Sequence, residues 1–255
     1  DPNDVRWSGK RKIASHQYPL IGLYDSGDIS VLECQVQQMK LAGIDGVIID
    51  WYGIHDLNDY KLIHENTKKL VSVIKRAGLR FAICYEDRSI LEAVKKGVIK
   101  ESEVIIRGRE SIQWVAQNWF LEDAYLKING KPVLLVFGPL ALNNGKLKKA
   151  VETLDPMPTT FLLHHLVKAG GGDSSFAWPP VDGGKRVSEI EWKKSLQSIY
   201  DTGSKILNPI PVAFPGYRDF YRNAGIRESY GSISDRDGQT WMDSLDQALS
   251  QSSPI

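Results

Sequence analysis

Gly46-Val47-Ile48-Ile49-Asp50-Trp51-Tyr52-Gly53 is the stretch that decides the fold class. Val47, Ile48 and Ile49 are apolar and β-branched in succession, and the run closes on a carboxylate and two aromatics. That pattern predicts a short strand buried on both faces. A helix is expected on either side of it. Before the run, Ser30 and Glu33 read as a capping box, and Val31, Leu32, Val36, Met39 and Ala42 mark one apolar face. After it, Ile63, Leu70, Val71 and Ile74 recur at helical spacing, and Gly78 supplies a stop.

The same alternation continues down the chain. Runs 80–87, 132–137, 160–165, 175–179 and 209–214 read as further strands, and 125–128 meets 132–137 across Asn129-Gly130, a tight-turn signal. Helical faces are expected through Ile112, Val115, Ala116 and Trp119, and through Trp192, Leu196, Ile199 and Tyr200 behind a Ser188/Glu191 cap. The last runs through Trp241, Leu245, Ala248 and Leu249. Strands alternating with helices, without a break in composition, predict a single α/β domain over 1–255 with a parallel sheet. Polar and aromatic residues close several different strands, which favours a (β/α)8 TIM-barrel-like fold, where all those ends open on one face. A doubly wound sheet would carry a glycine fingerprint after its first strand, and there is none. Six strands are legible rather than eight, so the barrel is expected to be incomplete at both ends.

The 255 residues are 42% hydrophobic, 25% charged and 9% aromatic, with 32 basic against 31 acidic side chains. Disordered, collagen-like and coiled-coil classes are excluded, and with no basic stripe a nucleic-acid partner is not expected. No apolar run is long enough to span a membrane. Asp1-Pro2-Asn3-Asp4 shows no charged-then-apolar leader pattern, which leaves room for a removed signal. Cys34 and Cys84 have no cysteine or histidine partner at metal-ligand spacing and read as buried free thiols. Gly145-Lys146 lacks the rest of a phosphate loop, His64-Glu65 lacks a second histidine at zinc spacing, and no serine sits in a nucleophile elbow. A monomer without metal or cofactor is the expectation.

The candidate chemistry gathers at strand ends. Asp50 with Trp51 and Tyr52 suits a carbohydrate, since aromatic faces stack on sugar rings while carboxylates accept hydroxyl hydrogen bonds. The competing reading is an aspartate capping the next helix. Glu86, in Tyr85-Glu86-Asp87-Arg88, would neighbour Asp50 if strand order follows the chain, and two facing carboxylates are the recurrent device of glycosidic hydrolysis. An Arg88 salt bridge fixing a loop is the structural alternative. His164 and His165 are adjacent on an expected strand, so they would point to opposite faces and at most one could line the site. Trp178 is a candidate stacking platform, and Tyr217 and Arg218 could line the same mouth.

These residues also resemble a known family. The blocks 18–26 and 39–53, followed by 125–133, Phe176-Ala177-Trp178-Pro179 and Phe214-Pro215-Gly216-Tyr217, are similar to bacterial proteins grouped as glycoside hydrolase family 71/99-like. The resemblance implies an eight-stranded barrel, an oligosaccharide or polysaccharide substrate and action outside the cytoplasm, in the periplasm, at the cell surface or secreted. Its characterised relatives include endo-acting α-mannosidases and α-1,3-glucanases. In the endo-mannosidase branch the catalytic pair is two glutamates a helical turn apart in a Trp/Asn-rich motif, which these residues lack. From that branch Glu86 falls where a sugar-binding glutamate follows a strand, with Tyr52 and Trp178 as aromatic partners. The expected activity is hydrolysis of an α-linked mannan- or glucan-type saccharide, with Asp50 and Glu86 as catalytic carboxyls. The alternatives are a non-catalytic carbohydrate-binding barrel and a glycosyltransferase.

Overall fold

The computed structural model describes residues 11–203 and 209–251. The chain's opening Asp1-Pro2-Asn3-Asp4 and its closing Ser253-Pro254-Ile255 lie outside them. In chain order the helices are α1 (Ile29–Leu41), α2 (Tyr60–Arg76), α3 (Arg88–Lys95), α4 (Val104–Val115), α5 (Lys146–Val151), α6 (Val167–Gly170), α7 (Glu189–Gly203) and α8 (Gln239–Leu249). The strands are β1 (Gly46–Trp51), β2 (Arg80–Tyr85), β3 (Lys127–Ile128), β4 (Lys131–Val136), β5 (Thr159–Leu163), β6 (Ser174–Phe176), β7 (Lys185–Arg186), β8 (Tyr217–Arg218) and β9 (Gly231–Ile233). The residues group into two compact units.

The first unit, Asp25–Ala177 with Thr202–Ile210, carries a sheet ordered β1-β2-β4-β5-β6, all parallel. The order follows the chain without the reversal of a doubly wound sheet, as staves of a barrel do. β3 returns antiparallel onto β4 through Asn129 and Gly130, both at positive φ. The expected strand over 209–214 is reduced to one parallel bridge, Ile210 to Phe176. Pro209 and Pro211 flank that bridge and have no N–H to extend a ladder.

Strand alternation gives this sheet two faces. Ile49, Trp51, Phe81, Ile83, Tyr85, Leu134, Val136 and Leu162 form one core with Val36, Val71, Ile74, Ile112, Val115 and Trp119 of the covering helices. Ala82, Cys84, Val133, Leu135, Phe161, Leu163 and Phe176 form a second core on the other face. Burial on both faces therefore holds for β2 and β4 but fails for β1, where Ile48 is 48% exposed and Asp50 is also exposed. β1 ends the described sheet, so its second face has a neighbour on one side only.

Local signals decide the helix ends. The expected Ser30/Glu33 box is not formed. Asp28, in an extended conformation, caps α1 by accepting from the Ser30 N–H at 2.8 Å, while Glu33 instead pairs with Arg76 at 2.7 Å. α2 closes as expected, with Gly78 at φ +72° and Leu79 N–H reaching back to the Ile74 carbonyl. Cys34 is exposed, contrary to expectation, because the inward stripe of α1 is set by Leu32 and Val36; Cys84 is buried.

The second unit, Asp1–Tyr24, Trp178–Asp201 and Pro211–Ser253, holds a small sheet ordered β7-β9-β8. Trp192, Leu196 and Tyr200 of α7 are buried, and the Ser188/Glu191 box forms as expected. α8 turns Thr240, Ser244 and Ala248 inward, while Trp241 and Leu249 are exposed and Leu245 is half-buried. The Ser244 hydroxyl explains this rotation: it donates to the Phe214 carbonyl and accepts the Phe214 N–H, so a polar residue takes the inward position an apolar stripe would claim.

Candidate active site

Register builds the site. Asp50 stands opposite Cys84 in the parallel pair β1·β2, and Trp51 opposite Tyr85. The ladder runs one step further, with Glu86 N–H donating to the Trp51 carbonyl at 2.9 Å, which brings Tyr52 beside Glu86. Residues two apart share a face of a strand, so Asp50 and Cys84 lie on the side away from the helix-covered core, and Tyr52 and Glu86, just past the strand ends, interact with Asp50. The two carboxyls expected to face one another are neighbours, and both lie at the C-terminal strand ends where α/β barrels do their chemistry.

Its surroundings act on Asp50. Surrounding protein and the Glu86 charge push the Asp50 carboxyl up from 3.8 to about 6, with hydrogen bonding from Tyr52 and the backbone working against the rise. Glu86 is buried and lies 3.3 Å from the Arg88 Nε, so the Arg88 salt bridge is formed. Burial raises the Tyr52 phenol, and the two carboxylates add to that rise. The Cys84 thiol is pushed up by burial and by the same two charges, so it stays protonated. One ring face of Tyr52 is covered by Tyr60, stacked at 4.8 Å between centroids and 2° between planes. Gly53, at φ +97°, turns the chain away from β1; a Cβ there would stand 2.9 Å from the Ser111 hydroxyl. A hollow of about 180 Å³ lined by His55, Asp56, Ser89, Ile90 and Arg107 shares Tyr60 with this patch and is smaller than usual ligand pockets.

Other expected site residues of this unit have different surroundings. Trp51 is fully buried beneath the helices, donating its indole N–H to His64 Nδ1 at 3.2 Å and packing on Tyr85, Trp114 and Trp119, so it is closed to a sugar. Tyr85 shares that face and is equally buried. Asp87 is buried too, and its carboxylate accepts the backbone N–H groups of Leu140 and Leu142 at 2.7 to 3.0 Å, tying the loop after β4 to the start of α3. β5 stops at Leu163, and His164 and His165 open a 3-10 turn, so strand alternation does not govern them. His164 is half-buried with Nδ1 3.5 Å from the Ser175 hydroxyl, and His165 is exposed. Trp178, Tyr217 and Arg218 belong to the second unit; Trp178 is 48% exposed. Tyr60 and the place of Cys84 beside the carboxyls are additions to the expected site. The latter was readable, since Cys84 precedes Glu86 by two and must share its face.

Among the described residues no three His, Cys, Asp or Glu side chains converge on a metal position. No helix among them is long and apolar enough to cross a membrane.

No protein-family model and no curated protein matches this chain. Solved structures do. The GH99 endo-α-mannosidase from Bacteroides thetaiotaomicron, in complex with bis-tris-propane, matches with a TM-score of 0.69 at 15% identity, over 94% of this chain and 72% of that one. A second structure of that enzyme gives 0.65 at 16% identity over 94% and 68%. A glycoside hydrolase-like protein gives 0.63 at 11% identity over 92% and 76%. A parallel α/β sheet in chain order, matched over nine-tenths of the sequence, gives this chain the fold of the GH99 endo-α-mannosidase and of that glycoside hydrolase-like protein.

Proposed function

We propose that the chain is a carbohydrate-active glycosidase that hydrolyses an α-linked oligo- or polysaccharide of mannan or glucan type. The carrying observation is the carboxyl pair at adjacent strand ends, with one member held protonated into mildly acidic pH. Asp50 is the proton donor to the departing sugar oxygen, and Glu86, ion-paired with Arg88, is the charged partner. The fold shared with an endo-α-mannosidase supports the substrate class. Action outside the cytoplasm as a monomer belongs to the same proposal.

The test is reducing-sugar release from mannan- and glucan-derived oligosaccharides. Glu86→Gln should lower turnover at least ~100-fold, the scale of losing a positioned acid or base, and unaltered turnover removes Glu86 from the chemistry. The Glu86–Arg88 ion pair favours a second reading, a non-catalytic carbohydrate-binding barrel, in which the pair is structural. Saturable binding in calorimetry without any sugar release would establish that alternative.

A further inference from the structure

Between β8 and β9 the second unit holds Phe220, Tyr221, Arg227 and Tyr230 in one loop. The rings of Tyr221 and Tyr230 are perpendicular, 5.8 Å between centroids, and the Arg227 guanidinium carbon lies 4.0 Å from the centre of the first and 3.7 Å from that of the second. Asp219 builds this clamp. Its carboxylate accepts the Tyr221 N–H at 3.3 Å, the Tyr230 N–H at 2.7 Å and the Ser229 hydroxyl at 3.1 Å, so both ring-bearing residues hang from one side chain. Those bonds also commit the loop's aspartate to its own backbone, and its glutamate, Glu228, lies 3.8 Å from Arg222. Among the described residues Arg227 makes no ion pair, and it is exposed. Phe220, 46% exposed, sets a further ring 5.4 Å from that of Tyr221. The loop is tied down as well, with the Asn223 amide donating to the Ala14 carbonyl at 3.0 Å and His16 Nε2 2.8 Å from the Asp219 carbonyl.

We propose that this loop, 219–231, is a further binding site of the chain, for a saccharide that carries a carboxylate or sulfate group: Arg227 takes the anionic group and Phe220 stacks on the sugar ring. The choice of a saccharide rests on the glycosidase reading above, whereas recognition of the anion stands on the loop alone. A guanidinium pairs with an oxyanion through parallel N–H bonds, a geometry that an ammonium cannot supply. Held beforehand by two rings, Arg227 loses little freedom on binding. An exposed aromatic face offers the apolar side of a sugar ring its partner. A neutral sugar would use that face and leave the positive charge unmatched, so the loop fits an acidic one.

The experiment is a titration of the whole chain with uronate, sulfated and neutral oligosaccharides of equal length and with inorganic sulfate, followed through the backbone amide resonances of 219–231. Wild type should bind one of the acidic series at least ~10-fold more tightly than the neutral series or inorganic sulfate, and less tightly as salt is added. Arg227→Gln should lose that preference, and Arg227→Lys, which keeps the charge without the planar fork, should recover only part of it. Phe220→Ala should bring the acidic sugars down to the level of inorganic sulfate. Both side chains are exposed, so these variants keep the fold, and unshifted amides outside the loop verify it. Equal binding of the acidic sugars by wild type and Arg227→Gln overturns the proposal, as does equal affinity of wild type for the neutral series or for inorganic sulfate. A preference for uronate or for sulfate upholds it and identifies the group. No turnover is involved, so this result stands whether or not Glu86→Gln changes sugar release.

Discussion

Asp50 and Trp51 are joined by one peptide bond and end in opposite environments. Trp51 is fully buried under α2 and α4, hydrogen-bonded to His64 and packed among Tyr85, Trp114 and Trp119. Asp50 faces the other side of the sheet, where solvent reaches it and where Glu86 is its neighbour. The pleat alone makes this division. Aromatics that neighbour a carboxylate in sequence therefore need not belong to its site. The covered face should govern stability, and the open face should govern chemistry.

The largest effect follows from the covered face. Trp51→Ala removes a fully buried indole and leaves His64 without its donor, so unfolding free energy should fall by about 4 kcal/mol. Urea denaturation measures this directly. A variant as stable as wild type that had lost saccharide binding would reverse the assignment of the two faces.

Asp87 comes next, because it sits one residue past Glu86 and yet performs a structural task. Asp87→Ala strands the Leu140 and Leu142 N–H groups in a buried loop, and should cost about 3 kcal/mol for these charge-assisted bonds. Asp87→Asn keeps an acceptor oxygen and should cost less. If Asp87→Ala instead leaves the denaturation curve in place and abolishes turnover, the division between adjacent residues fails at this point.

Periodicity made the strand ends legible and left the faces unread. The alternation of apolar runs and amphipathic segments located β1, β2, β4, β5 and β6, their parallel order and the nearness of Asp50 and Glu86, because each depends on local pattern and short connections. It grouped Trp51 and Tyr85 with the carboxylates because neighbours in a list look like neighbours in space. Counting by twos from Asp50 and Glu86 would have moved both aromatics to the core and brought Cys84 forward. The strand expected over 209–214 was lost to its own prolines, and the inward face of α8 to a serine serving the Phe214 backbone. Neither outcome is visible in hydrophobic spacing. Whether Trp178, Tyr217 and Arg218 serve the same chemistry depends on tertiary placement, which spacing along the chain does not encode.

The smallest expected effect bears on the open face and can be isolated by pH. Asp50 has a folded-state value of about 6 against 3.8 ordinarily, so between those limits the folded chain binds more protons than the unfolded one. Its contribution therefore weakens as pH rises from about 4 to about 6, and above that the folded state carries an unfavourable charge beside Glu86. Asp50→Asn removes the charge, so the variant should match wild type near pH ~4 and be the more stable near pH ~7. An accessible carboxyl is screened by water, which limits the gain to about 1 kcal/mol or less. Denaturation midpoints at the two pH values give the comparison. A gain equal at both would mean that packing, not charge, distinguishes the amide from the carboxyl, and a loss at the higher pH would mean that the charged Asp50 is stabilised by a partner outside the pair. Only the pH-dependent gain is compatible with an open face that holds the Asp50 carboxyl beside the charge of Glu86.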